Sequence, residues 1–408
     1  MTESTIVCIL GMHRSGTSVL SRLLNILGVY LGKEDSLAQP MACNPKGFWE
    51  HTVLQEINEK ILAKAGGSWH TPPNLPSGWE YGPSLENLVT CAKNVIHDDF
   101  AKARIWGFKD PRTCLTLPFW QRLLPSIRYI VCVRHPMEVA WSLNRRDGFS
   151  IEKGIYLWLA YLKAILQHTA GEDRLIVLYE ELIGNWQLQI QRLSKFLGIP
   201  KQVNLRYLLE NVGSFIDKDL RHHLSKPFTT DGDSSTLPLS RSLIIAEKIY
   251  NISKRHQPSQ LDTMTEQLEL ALDILRPVVR AQEAEKNRRD LESWNRKSRL
   301  LLQDIESIIP SDNVFILVDG ALLERKGILT TCLVLPFLER NGEYWGAPPD
   351  DETAIQEVRR LRQAAANFMV FAWPAFWWLD HYQGLTNYLD LNHRCLLKND
   401  RVVIFDLH

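Results

Sequence analysis

Long hydrophobic runs are missing from this chain of 408 residues. Its most apolar stretches, around Gly327–Leu338 and Phe368–Leu379, fall short of the roughly 20 residues a spanning helix needs, so no transmembrane segment is expected. The opening MTESTIVCIL has no basic leader, and its apolar run is too short for a signal core, so secretion is not expected either. Cysteine is scarce and unpatterned: 7 residues, odd in number and never spaced C-x-x-C, which argues against a disulfide framework or a zinc knuckle. A reducing, cytoplasmic setting fits that usage. Charge of one sign is not in excess, with 47 Lys plus Arg against 47 Asp plus Glu, so no global field recruits nucleic acid or an anionic membrane. No metal-ligand spacing and no internal repeat is visible.

What is present is an ordinary globular composition, 45% hydrophobic and 23% charged, in a chain long enough for two cores. Strand and helix patterns alternate over the first half. Apolar runs at Thr5–Leu10, Ile105–Lys109, Tyr129–Val133 and Leu175–Leu178 predict strands, and Thr17–Leu27, Glu56–Ala65, Ser84–Phe100, Pro136–Asn144, Ile151–Thr169 and Asn185–Leu197 predict helices. Continuous apolar strands between helices imply an α/β fold with a parallel sheet covered on both faces. The Ser-, Thr- and Asp-rich stretch Lys226–Leu237 predicts a loop, and Gln260–Ile308 one or two helices. From Asp312 the pattern is α/β again, with strands at Val314–Val318 and Phe368–Ala372, a helix at Glu352–Ala366 and a hairpin around Asn399-Asp400. The expected domains are therefore 1–225, a helical connector over 226–311, and a smaller α/β domain over 312–408.

Chemistry concentrates at strand ends. After the first strand comes GMHRSGTS, Gly11–Ser18, a glycine loop entering a helix, which is the organisation of a phosphate cradle. Gly11 and Gly16 stand at the spacing of a nucleotide triphosphatase loop, but Thr17 occupies the place of its lysine, and the cation is Arg14 instead. After the third strand comes VRHPMEVAWS, placing Arg134 at the strand end and Ser142 in the following helix, where both could bond one phosphate. GFKDPR closes another strand with Lys109 and Asp110, the latter expected to fix the turn. LIVLYE closes the next with Tyr179.

These motifs, in this order from Ile6 to Pro200, resemble the sulfotransferase superfamily, nearest to the bacterial, tyrosylprotein and carbohydrate types. The resemblance implies a P-loop-like sulfotransferase fold and 3′-phosphoadenosine 5′-phosphosulfate (PAPS) as co-substrate, with no metal. By it, Arg14 and Ser15 would lie at the phosphosulfate, Gly16, Thr17 and Ser18 would hold the 5′ phosphate, Arg134 and Ser142 the 3′ phosphate, and Tyr179 would line the nucleotide site. Arg14 and Lys109 would stabilise the group in transfer and the departing phosphate. The base expected from that family is Glu50 in NPKGFWEH, just ahead of Thr52-x-x-Gln55, which has the form of a capping box. His51 is the rival base, His13 is expected to be structural, and His70 and the pair His222-His223 to be surface or acceptor-pocket residues.

The expected reaction is sulfuryl transfer to a hydroxyl or amine of a carbohydrate or small natural-product acceptor, which Trp49, Trp69 and Trp79 would border. Two other classes stay open, a small-molecule kinase and a nucleotide-binding scaffold without turnover. The tail resembles an uncharacterised C-terminal module attached to some bacterial glycosyltransferases and methyltransferases. There Trp373, Phe376, Trp377 and Trp378 form either a binding platform or core, and Asp350-Asp351-Glu352 reads as the acidic start of a helix.

Overall fold

A computed structural model describes residues 4–41, 47–199, 212, 237–256, 258–323, 332–341 and 343–408. They fall into two compact units, Met1–Gln282 and Glu283–His408. The loop expected from residue 226 and the pair His222-His223 lie outside the described residues, apart from Leu237, which opens a helix.

The first unit is built on four parallel strands, β1 (Thr5–Leu10), β2 (Ile105–Lys109), β3 (Ile127–Val133) and β4 (Arg174–Leu178), in the order β2-β1-β3-β4. Each reads as an unbroken apolar run because each is covered twice. Ile6, Cys8, Leu10, Tyr129 and Val131 face one way, under α2 (Thr52–Lys64), α3 (Glu86–Val95), α4 (Thr113–Leu123), α5 (Pro136–Asp147) and α6 (Ile151–His168). Val7, Ile9, Ile130 and Cys132 face the other way, under α1 (Thr17–Ile26) and α8 (Trp186–Leu197), which follows the short α7 (Tyr179–Gly184). The alternation is the two-residue period of a strand.

Local signals explain the helix starts. The Ser150 and Asn185 side chains accept from Lys153 N–H and Leu188 N–H, and Pro136 opens α5. Helix α4, Thr113–Leu123, is not among the helices the sequence pattern predicts, and it holds Pro118 in its interior. An interior proline costs about 3 kcal/mol, but burying Leu115, Leu117, Phe119 and Trp120 returns roughly 1.5–3 kcal/mol per large side chain, so packing wins. The helix expected over Ser84–Phe100 is α3 followed by a π turn at Ile96–Phe100.

Helices α9 (Leu237–Ser253), α10 (Pro258–Asp262) and the start of α11 (Thr265–Ile308) add Leu243, Ile249, Leu268 and Leu272 to the first core. The segment expected as a connector is thus shared between the units, whose division lies within α11.

The second unit carries a five-stranded sheet ordered β10-β11-β9-β5-β6 and a two-stranded β7-β8. Its strands are β5 (Val314–Val318), β6 (Leu333–Pro336), β7 (Glu339–Arg340), β8 (Glu343–Tyr344), β9 (Phe368–Ala372), β10 (Arg394–Lys398) and β11 (Val402–Asp406). Helices α12 (Asp351–Gln363), α13 (Trp377–His381) and α14 (Gln383–Asn392) cover one face, and Leu301, Ile305 and Ile309 the other. Asp350 caps α12, and Asn399 closes the β10–β11 turn by accepting from Arg401 N–H and Val402 N–H. Trp378 is core and Trp377 exposed, so the tail aromatics do not form one platform.

In the first unit α5 and α6 meet at Gly154, where a Cβ would lie 2.6 Å from Ala140 Cα. Gly154→Val should therefore lower stability by roughly 1–3 kcal/mol in thermal or urea unfolding. An unchanged midpoint would show that α5 and α6 can separate freely.

Candidate active site

Parallel strands deliver their carboxyl ends to one edge, and the chain runs from β1 to β2 on one side and later to β3 on the other, which makes a crevice there the favoured place for a ligand. Every residue expected from the sequence to hold the donor falls at this edge or on a helix leaving it. The loop after β1 turns through two left-handed residues, Arg14 at φ 69° and Gly16 at φ 91°. Glycine is required at 16 for a second reason: a Cβ would lie 2.1 Å from the Tyr179 ring. Tyr179 therefore packs directly beneath the loop, and α1 leaves with its amino end at Thr17. Ser15 is buried, its amide donating to Met12 O at 3.1 Å and its carbonyl accepting from Cys132 Sγ. Gly11 N–H donates to Cys114 Sγ at 3.2 Å.

The cations converge here. Arg134 stacks over the Tyr179 ring at 4.5 Å, donates through Nε to Glu138 at 3.0 Å and through Nη1 to Arg14 O at 3.1 Å. Its carbonyl accepts from Trp158 Nε1 at 3.0 Å, which ties the strand end to α6. Arg14 Nε donates to Ser142 Oγ at 2.9 Å, so the loop cation and the helix hydroxyl, expected at opposite ends of the donor, meet each other. Lys109, only 3% exposed, donates to Glu50 Oε1 at 2.6 Å and reaches Ser18 Oγ at 3.4 Å. The carboxylate expected as the base thus stands beside the loop on the ammonium of β2.

Asp110 fixes the turn, as expected, by accepting from Arg112 N–H and its guanidinium. It also accepts from Asn58 of α2 at 2.8 Å, and Asn58 is the residue that sequence reasoning missed. Asn58 is fully buried and uses its whole amide, donating to Asp110 and Thr113 and accepting from Thr116 and Trp120. The available signal was its position between Ile57 and Ile61 on the apolar face of α2, where an amide must find partners. Burial raises the Asp110 carboxyl to about 6, with the Arg112 guanidinium opposing and the Glu50 charge adding to the rise.

His51 does not share Glu50's environment. Its ring is buried against Phe100 and its Nε2 bonds Asp99 Oδ2 at 3.0 Å. Thr52 does not form the expected capping box: its hydroxyl donates to Ser36 O, and His51 is the N-cap without a side-chain cap. His13 lies in the loop against Trp69, ring centroids 4.4 Å apart. Burial, followed by the charges of Arg112, Arg146, Lys109 and Arg14, holds its pKa well below 6.5, so it is neutral near pH 7. His70 packs edge-on to Trp69, and Trp79 lies in a short 3-10 turn. Burial raises the thiols of Cys8, Cys114 and Cys132, so none is a ready thiolate. Among the described residues no group of three or more His, Cys, Asp or Glu could hold a metal ion.

A glycine loop at a helix amino end, three cations and one facing carboxylate make a site that can bind a polyanion and take one proton. Residues 7–203 match the model of the sulfotransferase family. Over those residues the chain carries the sulfotransferase family's sequence pattern. A putative protein-tyrosine sulfotransferase of Caenorhabditis briggsae is 30% identical over 118 residues, 27% of this chain and 42% of that protein, so the chain spans less than half the length of this curated relative. Among solved structures, the sulfotransferase domain of the Synechococcus PCC 7002 olefin synthase is 17% identical, with a TM-score of 0.34 over 57% of this chain and 92% of that one. Mouse sulfotransferase SULT7A1, solved with PAP, is 14% identical, with a TM-score of 0.29 over 69% and 89%.

A raised carboxyl pKa means the folded state binds the Asp110 proton more tightly than the unfolded chain. The Asp110 contribution to stability is then full below pH 3.8 and declines as pH rises from 3.8 to about 6. Asp110→Asn should flatten that part of the urea-unfolding profile. A profile identical to wild type between these values would remove Asp110 as its source.

Proposed function

We propose that the N-terminal unit transfers a sulfuryl group from PAPS to a hydroxyl or amine of a carbohydrate or small natural-product acceptor. The observation that carries this reading is Lys109, which touches both the hydroxyl of Ser18 in the anion loop and the carboxylate of Glu50. One buried cation therefore joins the place for a transferring anion to the place for a base.

In this reading the backbone of Gly16–Ser18 and the α1 amino end hold the 5′ phosphate, with Arg14 and Ser15 at the phosphosulfate. Arg134 and Ser142 take the 3′ phosphate, Ser142 exchanging its bond from Arg14 for one to phosphate. Tyr179, already stacked on Arg134, lines the nucleotide side. In the reaction a bond forms from the acceptor oxygen or nitrogen to sulfur, and the bond from sulfur to the bridging phosphate oxygen breaks. The acceptor proton passes to Glu50. The growing charge on the bridging oxygen is met by Lys109 and Arg14, so stabilisation increases along the reaction. A kinase reading fits less well, because Thr17 stands where a triphosphatase loop places its lysine.

The assignment separates into two measurable parts. Glu50→Gln should lower turnover of PAPS at least about tenfold while calorimetric affinity for adenosine 3′,5′-bisphosphate stays near wild type. Arg134→Ala should weaken bisphosphate binding by about tenfold or more, the loss of a charge-assisted bond. Full turnover in the first variant removes Glu50 as base, and full affinity in the second removes the 3′-phosphate assignment.

A further inference from the structure

Glu50 lies next to a strained point in the chain. Trp49, the residue before it, has φ 59°, a left-handed conformation that a bulky residue adopts only when its surroundings impose it. On one side Trp49 is held by the Arg22 guanidinium, 4.7 Å over its ring. On the other side the backbone is held by a pairing of residues 36–38 with 50–52. Ala38 N–H donates to Glu50 O at 2.8 Å, Leu37 bridges His51, and Thr52 Oγ donates to Ser36 O at 3.1 Å.

One carboxylate binds both halves of that pairing. Asp99 Oδ2 bonds His51 Nε2 at 3.0 Å and accepts from Ser36 Oγ at 3.2 Å, while its Oδ1 takes the Lys33 ammonium. The arrangement looks built for this contact. His51 is 4% exposed, its ring lies against Phe100, and a Cβ at Gly32 would come within 2.9 Å of its Cδ2. Asp99 itself sits on the π turn Ile96–Phe100, a winding that breaks the register of α3 and that recurs at functional sites. The hydrogen bonds from His51 and Lys33 hold the Asp99 carboxyl down at about 2, so it is an anion throughout the working pH range.

We propose that Asp99 is a positioning residue for group transfer: through His51 and Ser36 it fixes the strained segment that presents Glu50 to Lys109 and the acceptor. The inference rests on the sulfuryl-transfer reading above. It also gives His51 a role, as the link between Asp99 and Glu50 in place of a second base.

The test uses the full chain, with PAPS as sulfuryl donor and water or 2-naphthol as sulfuryl acceptor, and reads the adenosine bisphosphate that leaves. Asp99→Asn is expected to lower turnover about tenfold, with KM for PAPS and bisphosphate affinity within about twofold of wild type. Because Asp99 acts through Glu50, Asp99→Asn in a Glu50→Gln background should cost little more than Glu50→Gln alone. His51→Ala, which cuts the same tie from the other side, should match Asp99→Asn and serves if that variant folds poorly. Wild-type turnover in either folded variant, or penalties of Asp99→Asn and Glu50→Gln that simply multiply, would overturn the proposal. A wild-type chain that binds no bisphosphate and releases none would overturn the sulfuryl-transfer reading, and this inference with it.

Discussion

A lysine ammonium buried at the end of β2 requires a counter-charge, and the arrangement of the first unit follows from where that counter-charge is. Removing one partner of a buried pair leaves an uncompensated charge that costs about 3–5 kcal/mol, so Lys109 and Glu50 constrain each other strongly. Lys109 comes from the sheet, whereas Glu50 comes from the irregular segment ahead of α2. Holding them together demands that α2 and its approach be fixed relative to the strand ends. Asn58 does this from within the helix, locking α2 to Asp110 and to α4. The Asp99 tie does it from outside, at the residue after Glu50.

The same logic explains the loop. Its two left-handed residues, the Tyr179 ring pressed against Gly16 and the Arg134 bond to Arg14 O fix its shape, which on the sulfuryl-transfer reading makes it a preformed cradle. Preformed donors need not reorganise as charge develops, which is how an electrostatic site contributes most. The Lys109 ammonium is paired with the Glu50 carboxylate, and the Arg14 guanidinium donates to the Ser142 hydroxyl.

Much of this was legible in the sequence, for a physical reason. Parallel strands buried on both faces are continuous apolar runs, so β1 to β4 and the residues at their ends, Arg14, Lys109, Arg134 and Tyr179, stand out together. Elements whose stability comes from packing did not stand out. Helix α4 contains Pro118 and was invisible to propensity, because its support is the burial of Phe119 and Trp120. The apparent capping box at Thr52 failed because the Thr52 hydroxyl is used across the chain, by Ser36. Asn58 could have been found, as a lone amide on an apolar helix face. Asp99 could not: nothing in IHDDF marks a π turn or reveals that the carboxylate meets His51, a contact between residues 48 apart in sequence. The division of the chain was also obscured, since α11 runs 44 residues through it and continues past Pro277.

On the sulfuryl-transfer reading, the first unit is shaped for a nucleotide with a 3′ phosphate and without a metal-bound triphosphate. A thermal-shift comparison of adenosine 3′,5′-bisphosphate, ATP, and ATP with magnesium tests it most directly. The bisphosphate is expected to stabilise the chain, and magnesium to add nothing to ATP. Magnesium-dependent stabilisation by ATP, with no response to the bisphosphate, would contradict it.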